Sequence, residues 1–400
     1  MNSFRFIKNQ LTNWFWHWPK SFLAFLFVGP KRKKIKIIGV SGTKGKTTTS
    51  YLMAKILEKA GYNVALICTA VIKIKNKEWL NNLKMTTPSV GYLYRFIRRA
   101  VKEKCQYLVL EISSHAIKQY RIFGLKIDYL ILTNLTPDHL EYHRTSQDYL
   151  FSHQKLANQK SIQQVVINGQ DPFINQLKFK NPIIDFSRNE ELKNQIIALK
   201  PPLLGKFNLE NYLAASQLAL TLKISWEKIK EAINEVKTVP GRLELIDLGQ
   251  DFKVMVDYAH SPPSLLALFS VIKELNPQRI IVVFGACGER DKSQRPIMGE
   301  ILAQNAQIII ITNDDPYHED PELIAEGVLE GIKKHPAIEV FKILDRRSAI
   351  KKALTLARKE DWVLILGKGA EQFQIIKNKK IPWDDRQVVK EIWKEIKEKS

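Results

Sequence analysis

The residues best equipped for chemistry lie in Gly42-Thr43-Lys44-Gly45-Lys46-Thr47-Thr48, between an apolar run and an amphipathic one. Glycines let the backbone curl so that successive N–H groups face one anion, and a helix starting near Thr47 adds positive potential. Lys46 suits the terminal phosphates of a nucleotide, and the Thr47 hydroxyl suits a magnesium ion. Val40 stands where strict P-loop spacing requires its first glycine, so the reading rests on Gly-Lys-Thr placed at a strand end and a helix start. Glu111 closes another apolar run; a carboxylate at the C-terminal end of a strand beside a phosphate loop is suited to bind magnesium.

The elements that must position these groups follow from hydrophobic periodicity. Apolar β-rich runs at 35–40, 64–68, 107–112, 129–133 and 165–167 alternate with helical spacing at 47–60, 90–104, 208–222 and 226–236. That alternation predicts an α/β fold: a P-loop central domain with a mostly parallel sheet. Near Val239-Pro240-Gly241 the pattern restarts, with strands at 253–258, 279–284, 307–311 and 362–366, each followed by a helix candidate. This predicts a second, Rossmann-like α/β domain. The expected division is an aromatic and basic segment at 1–34, a central domain at 35–238 and a C-terminal domain at 239–400.

Composition narrows the function. The chain has 400 residues, a hydrophobic fraction of 45% and a charged fraction of 26%, which marks it as globular. Three scattered cysteines, Cys68, Cys105 and Cys287, fit a reducing compartment and offer no zinc set. The net charge of +21 suits a polyanionic partner. No RRM, KH or zinc-finger signature accompanies it, so nucleic acid is not expected. Trp14, Phe15, Trp16, Trp18, Phe22, Phe25 and Phe27 precede Lys31-Arg32-Lys33-Lys34. The apolar stretch is too short to span a bilayer. Residues 14–34 therefore either make peripheral contact with a membrane interface or pack on the body of the protein.

Gly42-Thr43-Lys44-Gly45-Lys46-Thr47 resembles the G-T-x-G-K-T loop of the Mur ligases and folylpolyglutamate synthetases, and the likeness continues in order along the chain. Thr86-Thr87-Pro88 resembles the family's TTP segment, and Glu111-Ile112-Ser113-Ser114-His115 the E-x-S-S-H block of the ligases that add the third stem-peptide residue. The run from Thr133 to His143 is similar to T-N-x-x-x-D-H-L-D-Y-H. The resemblance implies ATP and Mg2+ as cofactors, with Gly42, Thr43, Lys44, Gly45, Lys46, Thr47 and Thr48 on the nucleotide and Thr47, Glu111 and His139 on metal. It implies Thr86, Thr87, Ser113, Gln119 and Arg121 on the acceptor. Asn208 and Asn211, in a G-x-F-N-x-x-N block, would lie near the adenine. Family members place a carbamylated lysine on the helix after the histidine run; here that position holds His153. Lys155 cannot substitute, because two residues turn a helix by about 200°. His153 is expected either to ligate or orient through neutral nitrogen, or to leave a site that runs without the carbamate.

Gly241-Arg242 and Asp257-Tyr258-Ala259-His260 resemble the G-R and D-Y-A-H signatures. Arg242 would reach ATP phosphates when the domains close, and Asp257 would support nucleotide binding. Arg290, in Gly285-Ala286-Cys287-Gly288-Glu289-Arg290-Asp291, would hold the carboxylate of the incoming amino acid. Asp314, Asp315 and Tyr317 occupy the place of the D-N-P-R specificity motif, and Gly367 and Glu371 that of G-K-G-H-E. With Tyr317 for arginine and three carboxylates together, the pocket is expected to prefer L-lysine or L-ornithine to meso-diaminopimelate, although Lys368 could reach the same spot.

The resemblance thus implies an ATP-dependent acid–amino-acid ligase of peptidoglycan synthesis. It would act through an acyl-phosphate on a UDP-N-acetylmuramoyl-L-Ala-D-Glu-type acceptor and a free amino acid, in the cytoplasm or at the inner membrane face. Family members carry a further uridine-gripping domain, whereas residues 1–34 here are aromatic and basic, so a lipid-linked acceptor is an alternative. The alternative functions are a catalytically reduced nucleotide-binding partner in a cell-wall assembly complex, or another Mur-like amide ligase.

Overall fold

The computed structural model describes residues 19, 21–23, 35–136, 140–143 and 145–398. By packing, the chain divides into two compact units, Met1–Lys237 and Thr238–Ser400.

In the first unit, chain order is β1 (Lys36–Ser41), α1 (Lys46–Lys59), β2 (Val64–Ile67), β3 (Val71–Ile74), β4 (Lys77–Leu80), α2 (Val90–Lys102), β5 (Tyr107–Glu111), α3 (Ser114–Lys118) and β6 (Tyr129–Leu132). Then follow α4 (Leu140–His143), α5 (Ser146–Ala157), β7 (Gln164–Ile167), β8 (Ile183–Asp185), α6 (Glu190–Ala198), α7 (Phe207–Thr221) and α8 (Trp226–Glu235). The eight strands form one sheet in the order β4-β3-β2-β5-β1-β6-β7-β8. It is parallel from β2 to β8, while β3 and β4 add an antiparallel edge. Every residue of β2, β5 and β6 is buried, as expected of parallel strands covered on both faces. β1 lies between β5 and β6, so the connections leave its C-terminal end in opposite directions. That switch point opens a crevice at the strand ends, and the glycine-rich loop begins there.

The second unit contains β9 (Glu244–Ile246), β10 (Lys253–Asp257), α9 (Pro262–Glu274), β11 (Ile280–Phe284), α10 (Gln294–Ala303), β12 (Ile308–Ile311) and α11 (Pro321–Ile332). It continues with β13 (Glu339–Lys342), α12 (Arg346–Leu356), β14 (Trp362–Leu366), β15 (Phe373–Ile376), β16 (Lys379–Pro382) and α13 (Asp385–Lys397). Six strands form a sheet in the order β13-β12-β11-β14-β10-β9, parallel except for β9. The expected α/β architecture, with a mostly parallel sheet, therefore holds in both units. One expectation does not: β14 is followed by the antiparallel hairpin β15–β16, and a helix comes only after it. The pair β3–β4 was also invisible to periodicity, because each strand is four residues long and β3 is buried throughout, its Lys73 included.

Near the N-terminus Ser21 is buried, and the Phe22 ring meets Phe123 edge-on at 6.3 Å. Apart from residues 19 and 21–23, the 14–34 segment lies outside the described residues. No helix among the described residues is long and apolar enough to cross a membrane.

Candidate functional site

In the first unit the site is assembled where β1, β5 and β6 end. Gly42 adopts φ +138°, and a Cβ there would sit 2.2 Å from Thr133 Oγ1; Gly45 adopts φ +79°, and a Cβ would sit 2.2 Å from Asn211 Oδ1. Both positions therefore require glycine. The loop is tied down from β6: the Thr43 amide donates to Asn134 O at 2.8 Å, the Lys44 amide donates to Asn134 Oδ1 at 2.9 Å, and Thr133 Oγ1 donates to Lys44 O at 2.6 Å. Tyr149, on α5, places its hydroxyl 2.6 Å from Thr43 Oγ1.

Helix α1 starts at Lys46, one residue before the expected position. Its N-cap is Gly45, which has no side chain to cap the helix, and the first turn carries no acidic residue. By contrast, Ser113 and Thr145 cap α3 and α5 through their side chains. A helix N-terminus opened by Gly45, with no acidic residue in its first turn, fits a phosphate. Lys46 curls over the loop, donating to Gly42 O at 3.0 Å and Thr43 O at 2.8 Å.

Glu111, 1% exposed, faces this helix. Its carboxylate accepts from Thr47 Oγ1 at 3.1 and 3.2 Å, from the Thr69 amide at 2.6 Å and from Thr69 Oγ1 at 3.1 Å. This hard-oxygen pair of Glu111 and Thr47 beside a phosphate-binding helix fits Mg2+. Thr69 was missed, since nothing in its neighbourhood marks it; it earns its place through the short β2–β3 connection. Thr86 reaches Thr69 Oγ1 at 2.9 Å, and Thr87 Oγ1 donates to Glu111 O at 2.9 Å while accepting the Ser113 amide at 3.0 Å. Arg121 donates to Thr87 O at 2.8 Å and to Gln119 Oε1 at 2.5 Å. Thr86, Thr87, Ser113, Gln119 and Arg121 thus form one connected wall running from Glu111. Asn211 accepts from Thr49 Oγ1 at 3.1 Å and donates to Asn208 Oδ1 at 2.7 Å, which joins α7 to α1 beneath the loop. Thr48 is buried in the first turn of α1.

His139 lies outside the described residues. His153 is fully buried on α5, and Lys155, on the same helix, is exposed with its ammonium over the Tyr120 ring. Burial, then the Lys46 charge, then His143, push the His153 imidazole down to about 3, so it is neutral at physiological pH.

In the second unit the expected residues gather at the C-terminal edge of the parallel strands. Asp257 ends β10, and its two oxygens accept the Leu243 and Ala259 amides, each at 2.7 Å. Burial pushes its carboxyl up, against the nearby Arg242 and these two amides. Asp257 thus braces the turn that carries Arg242, whose guanidinium lies 4.6 Å from the Tyr258 ring centre. Arg290 is exposed, and its guanidinium stays firmly charged: burial opposes this, but Cys287, Tyr258 and Tyr317 outweigh it. The Cys287 thiol is pushed up to about 12 by burial and by Asp314, which leaves it a protonated, unreactive thiol.

The acidic pocket differs from expectation. Lys368 is fully buried, and its ammonium donates to Asp314 at 3.1 Å, Asp315 at 3.0 Å and Glu371 at 2.9 Å. Burial alone would discharge it, but the three carboxylates hold it well above the usual lysine range. Asp315 also accepts the Ile375 amide at 2.8 Å, and Gly367 approaches Asp314 closely. The three carboxylates thus have an internal cation. Lys368 balances one of the three charges and occupies an oxygen of each carboxylate, which weakens their pull on a substrate's side-chain ammonium. They also surround a cation already, which disqualifies them as a metal site. Sequence reasoning missed a second buried pair altogether: Arg346 grips Asp385 at 2.8 and 2.7 Å and donates to Leu366 O at 3.0 Å, which locks the end of β14.

The profile of the Mur ligase middle domain matches residues 40–219, and that of the Mur ligase glutamate ligase domain matches residues 241–369. The chain belongs to the Mur ligase family. Its members are ATP-dependent, ADP-forming amide ligases, and this Mur ligase is one of the enzymes of peptidoglycan synthesis. It is 38% identical over 398 residues to the UDP-N-acetylmuramoyl-L-alanyl-D-glutamate–2,6-diaminopimelate ligase of Clostridium botulinum, covering 92% of this chain and 80% of that one. It is 35% identical to the protein of the same name from Aquifex aeolicus, with the same coverage. A solved diaminopimelate ligase superposes with a TM-score of 0.59 at 27% identity, covering 97% of this chain and 83% of that one. The fold alone is shared with Escherichia coli FolC in complex with ADP, at a TM-score of 0.64, 17% identity, and coverage of 95% and 93%.

Proposed function

We propose that this Mur ligase joins 2,6-diaminopimelate to a UDP-N-acetylmuramoyl-L-alanyl-D-glutamate-type acceptor at the expense of ATP. The observation that carries the reading is the glycine loop opening α1, with Lys46 over it and the Glu111–Thr47 oxygen pair beside it. The names of relatives at 34–38% identity supply the substrates.

The acceptor carboxylate attacks the γ-phosphorus of ATP, a P–O bond forms, and ADP leaves. The amine of the amino acid then attacks the acyl carbon of the acyl-phosphate, loses a proton, and expels inorganic phosphate. The glycine loop and the α1 amides hold the nucleotide, and Lys46 shifts from the loop carbonyls to the phosphate oxygens as charge builds there. Glu111, Thr47 and His139 would hold a magnesium ion, which would supply charge neutralisation on the phosphates. Arg121, Gln119, Ser113 and Thr86–Thr87 bind the acceptor, and Arg290 holds the amino-acid carboxylate. Residues 14–34 make peripheral contact with anionic membrane, so removing residues 1–30 should reduce sedimentation with anionic vesicles while leaving nucleotide binding intact.

The test is phosphate release from ATP by purified protein, with the acceptor dipeptide and diaminopimelate added singly and together. Release that requires both supports the reading. Nucleotide binding without turnover in any combination would favour the catalytically reduced partner.

A further inference from the structure

The ring of His153 is bonded on one side only. Its Nδ1 lies 3.3 Å from Ser41 Oγ, and Ser41 Oγ lies 2.8 Å from Ile112 O. A carbonyl oxygen can only accept, so the single Ser41 hydroxyl hydrogen goes to Ile112 O. Ser41 therefore accepts from His153, which fixes the proton on Nδ1. The other nitrogen, Nε2, then carries a bare lone pair, and it has no hydrogen-bond partner among the described residues. A fully buried, unpaired acceptor is costly and calls for an occupant.

Position says what kind. Ser41 is the residue before Gly42, and Ile112 is the residue after Glu111. The imidazole is thus tied through Ser41 to the adjacent C-terminal ends of β1 and β5, where the phosphate loop begins, and the Lys46 charge acts on it. Tyr149 packs against it at 4.8 Å between ring centres while holding Thr43, which fixes the ring plane relative to the loop. A histidine whose Nδ1–H is held by an oxygen and whose Nε2 is free is oriented as metal-bound histidines are.

We infer that His153 Nε2 is a nitrogen donor to the divalent cation at the phosphate loop, and that this biases the site from Mg2+ toward the borderline cations Mn2+ and Co2+. The inference rests on the phosphate-loop reading above and concerns this chain's choice of cation. Magnesium prefers oxygen and gains little from imidazole, whereas Mn2+ and, more strongly, Co2+ accept it. Ser41 is then a positioning residue that acts through the tautomer.

The experiment uses the full chain with Mn2+ and β,γ-methylene-ATP, which has no nitrogen next to its phosphates, and reads 14N coupling to bound Mn2+ by pulsed electron paramagnetic resonance. Nitrogen coupling that falls in His153→Gln supports the inference, as does a loss of Co2+ affinity of about tenfold or more with Mg2+ affinity little changed. Ser41→Ala keeps the imidazole but frees its tautomer, and should lower Co2+ affinity in the same direction with an unchanged melting temperature. Coupling that persists undiminished in a folded His153→Gln protein overturns the inference and leaves the phosphate-loop reading standing. So does an unaltered Co2+ to Mg2+ preference in Ser41→Ala, should His153→Gln not fold. Failure of the wild-type chain to bind Mn2+ with the nucleotide analogue overturns both.

Discussion

The strand ends of the two sheets carry charge in opposite ways. At the first sheet, α1 opens on Gly45 with no acidic residue in its first turn, and Lys46 rests on backbone carbonyls from which a stronger anion can draw it. At the second, Lys368 is closed on three carboxylates and Arg346 on Asp385, with no exposed surface left on either cation. A lysine held by weak neutral acceptors is available for chemistry, while a lysine buried among carboxylates holds the framework. The same residue type thus has two functions, set by its partners.

The largest contrast is between those two lysines. Lys46→Ala should lower turnover by at least about 100-fold, the loss typical of one preorganised charge at a reacting centre, with no change in melting temperature. Retention of near-normal activity would break the assignment. Lys368→Met should act on stability, because buried Asp314 and Asp315 and half-buried Glu371 lose their cation; about 3–5 kcal/mol is expected. The measure is urea unfolding of the full chain, and a loss under about 1 kcal/mol would mean that the ion cluster is not structural.

That contrast also separates what was legible in sequence. The phosphate loop, Glu111 and the Thr86–Arg121 wall were readable because each is a short motif whose geometry is set by the next few residues. The Lys368 cluster was not, because Asp314 and Asp315 lie 54 and 53 residues away and meet it only through the β12–β11–β14 order of the sheet. Glu371, three residues on, was the one local sign. Arg346 and Asp385, 39 residues apart on two helices, had none. Thr69 and Ser41 escaped for another reason: a lone hydroxyl becomes informative only when its acceptor is known. The helices and the longer strands were clear, whereas the hairpins β3–β4 and β15–β16 were too short to show a period.

A smaller effect concerns acid. His153 is held neutral down to about 3, against an ordinary value of 6.5. Above 6.5 neither the folded nor the unfolded chain protonates it. Below 6.5 the unfolded chain takes up a proton that the folded chain refuses, so stability falls as pH drops, by about 1.4 kcal/mol per pH unit at most. Between pH 6.5 and 5, metal-free His153→Gln should lose less stability than wild type in urea titrations. Equal slopes would show that the ring takes a proton in place.

The smallest expected effect bears on the amino acid. With Lys368 bonded to all three carboxylates, choice between diaminopimelate and lysine turns on what else faces the pocket. Arg290 supplies one cation. Tyr317 is half-buried, at φ +52°, and its backbone is clamped to β15 through Ile375 O at 3.2 Å and the Lys377 amide at 2.7 Å. Burial first, then Cys287, Asp315 and Glu371, raise its phenol above the usual range, so the hydroxyl keeps its proton and acts as a donor. A neutral donor does not attract a second carboxylate as arginine would, but it can bond one. A hydrogen bond to a charged group contributes about 1.5–3 kcal/mol. In competition at equal concentration, with products identified by mass, diaminopimelate should exceed lysine. Tyr317→Phe should move the ratio toward lysine by about tenfold, the lower end of that range, and Tyr317→Arg should move it the other way. An excess of lysine product from wild type would mean that the remaining negative charge governs the pocket despite Lys368. An unchanged ratio in Tyr317→Phe would mean that the phenol does not touch the side chain.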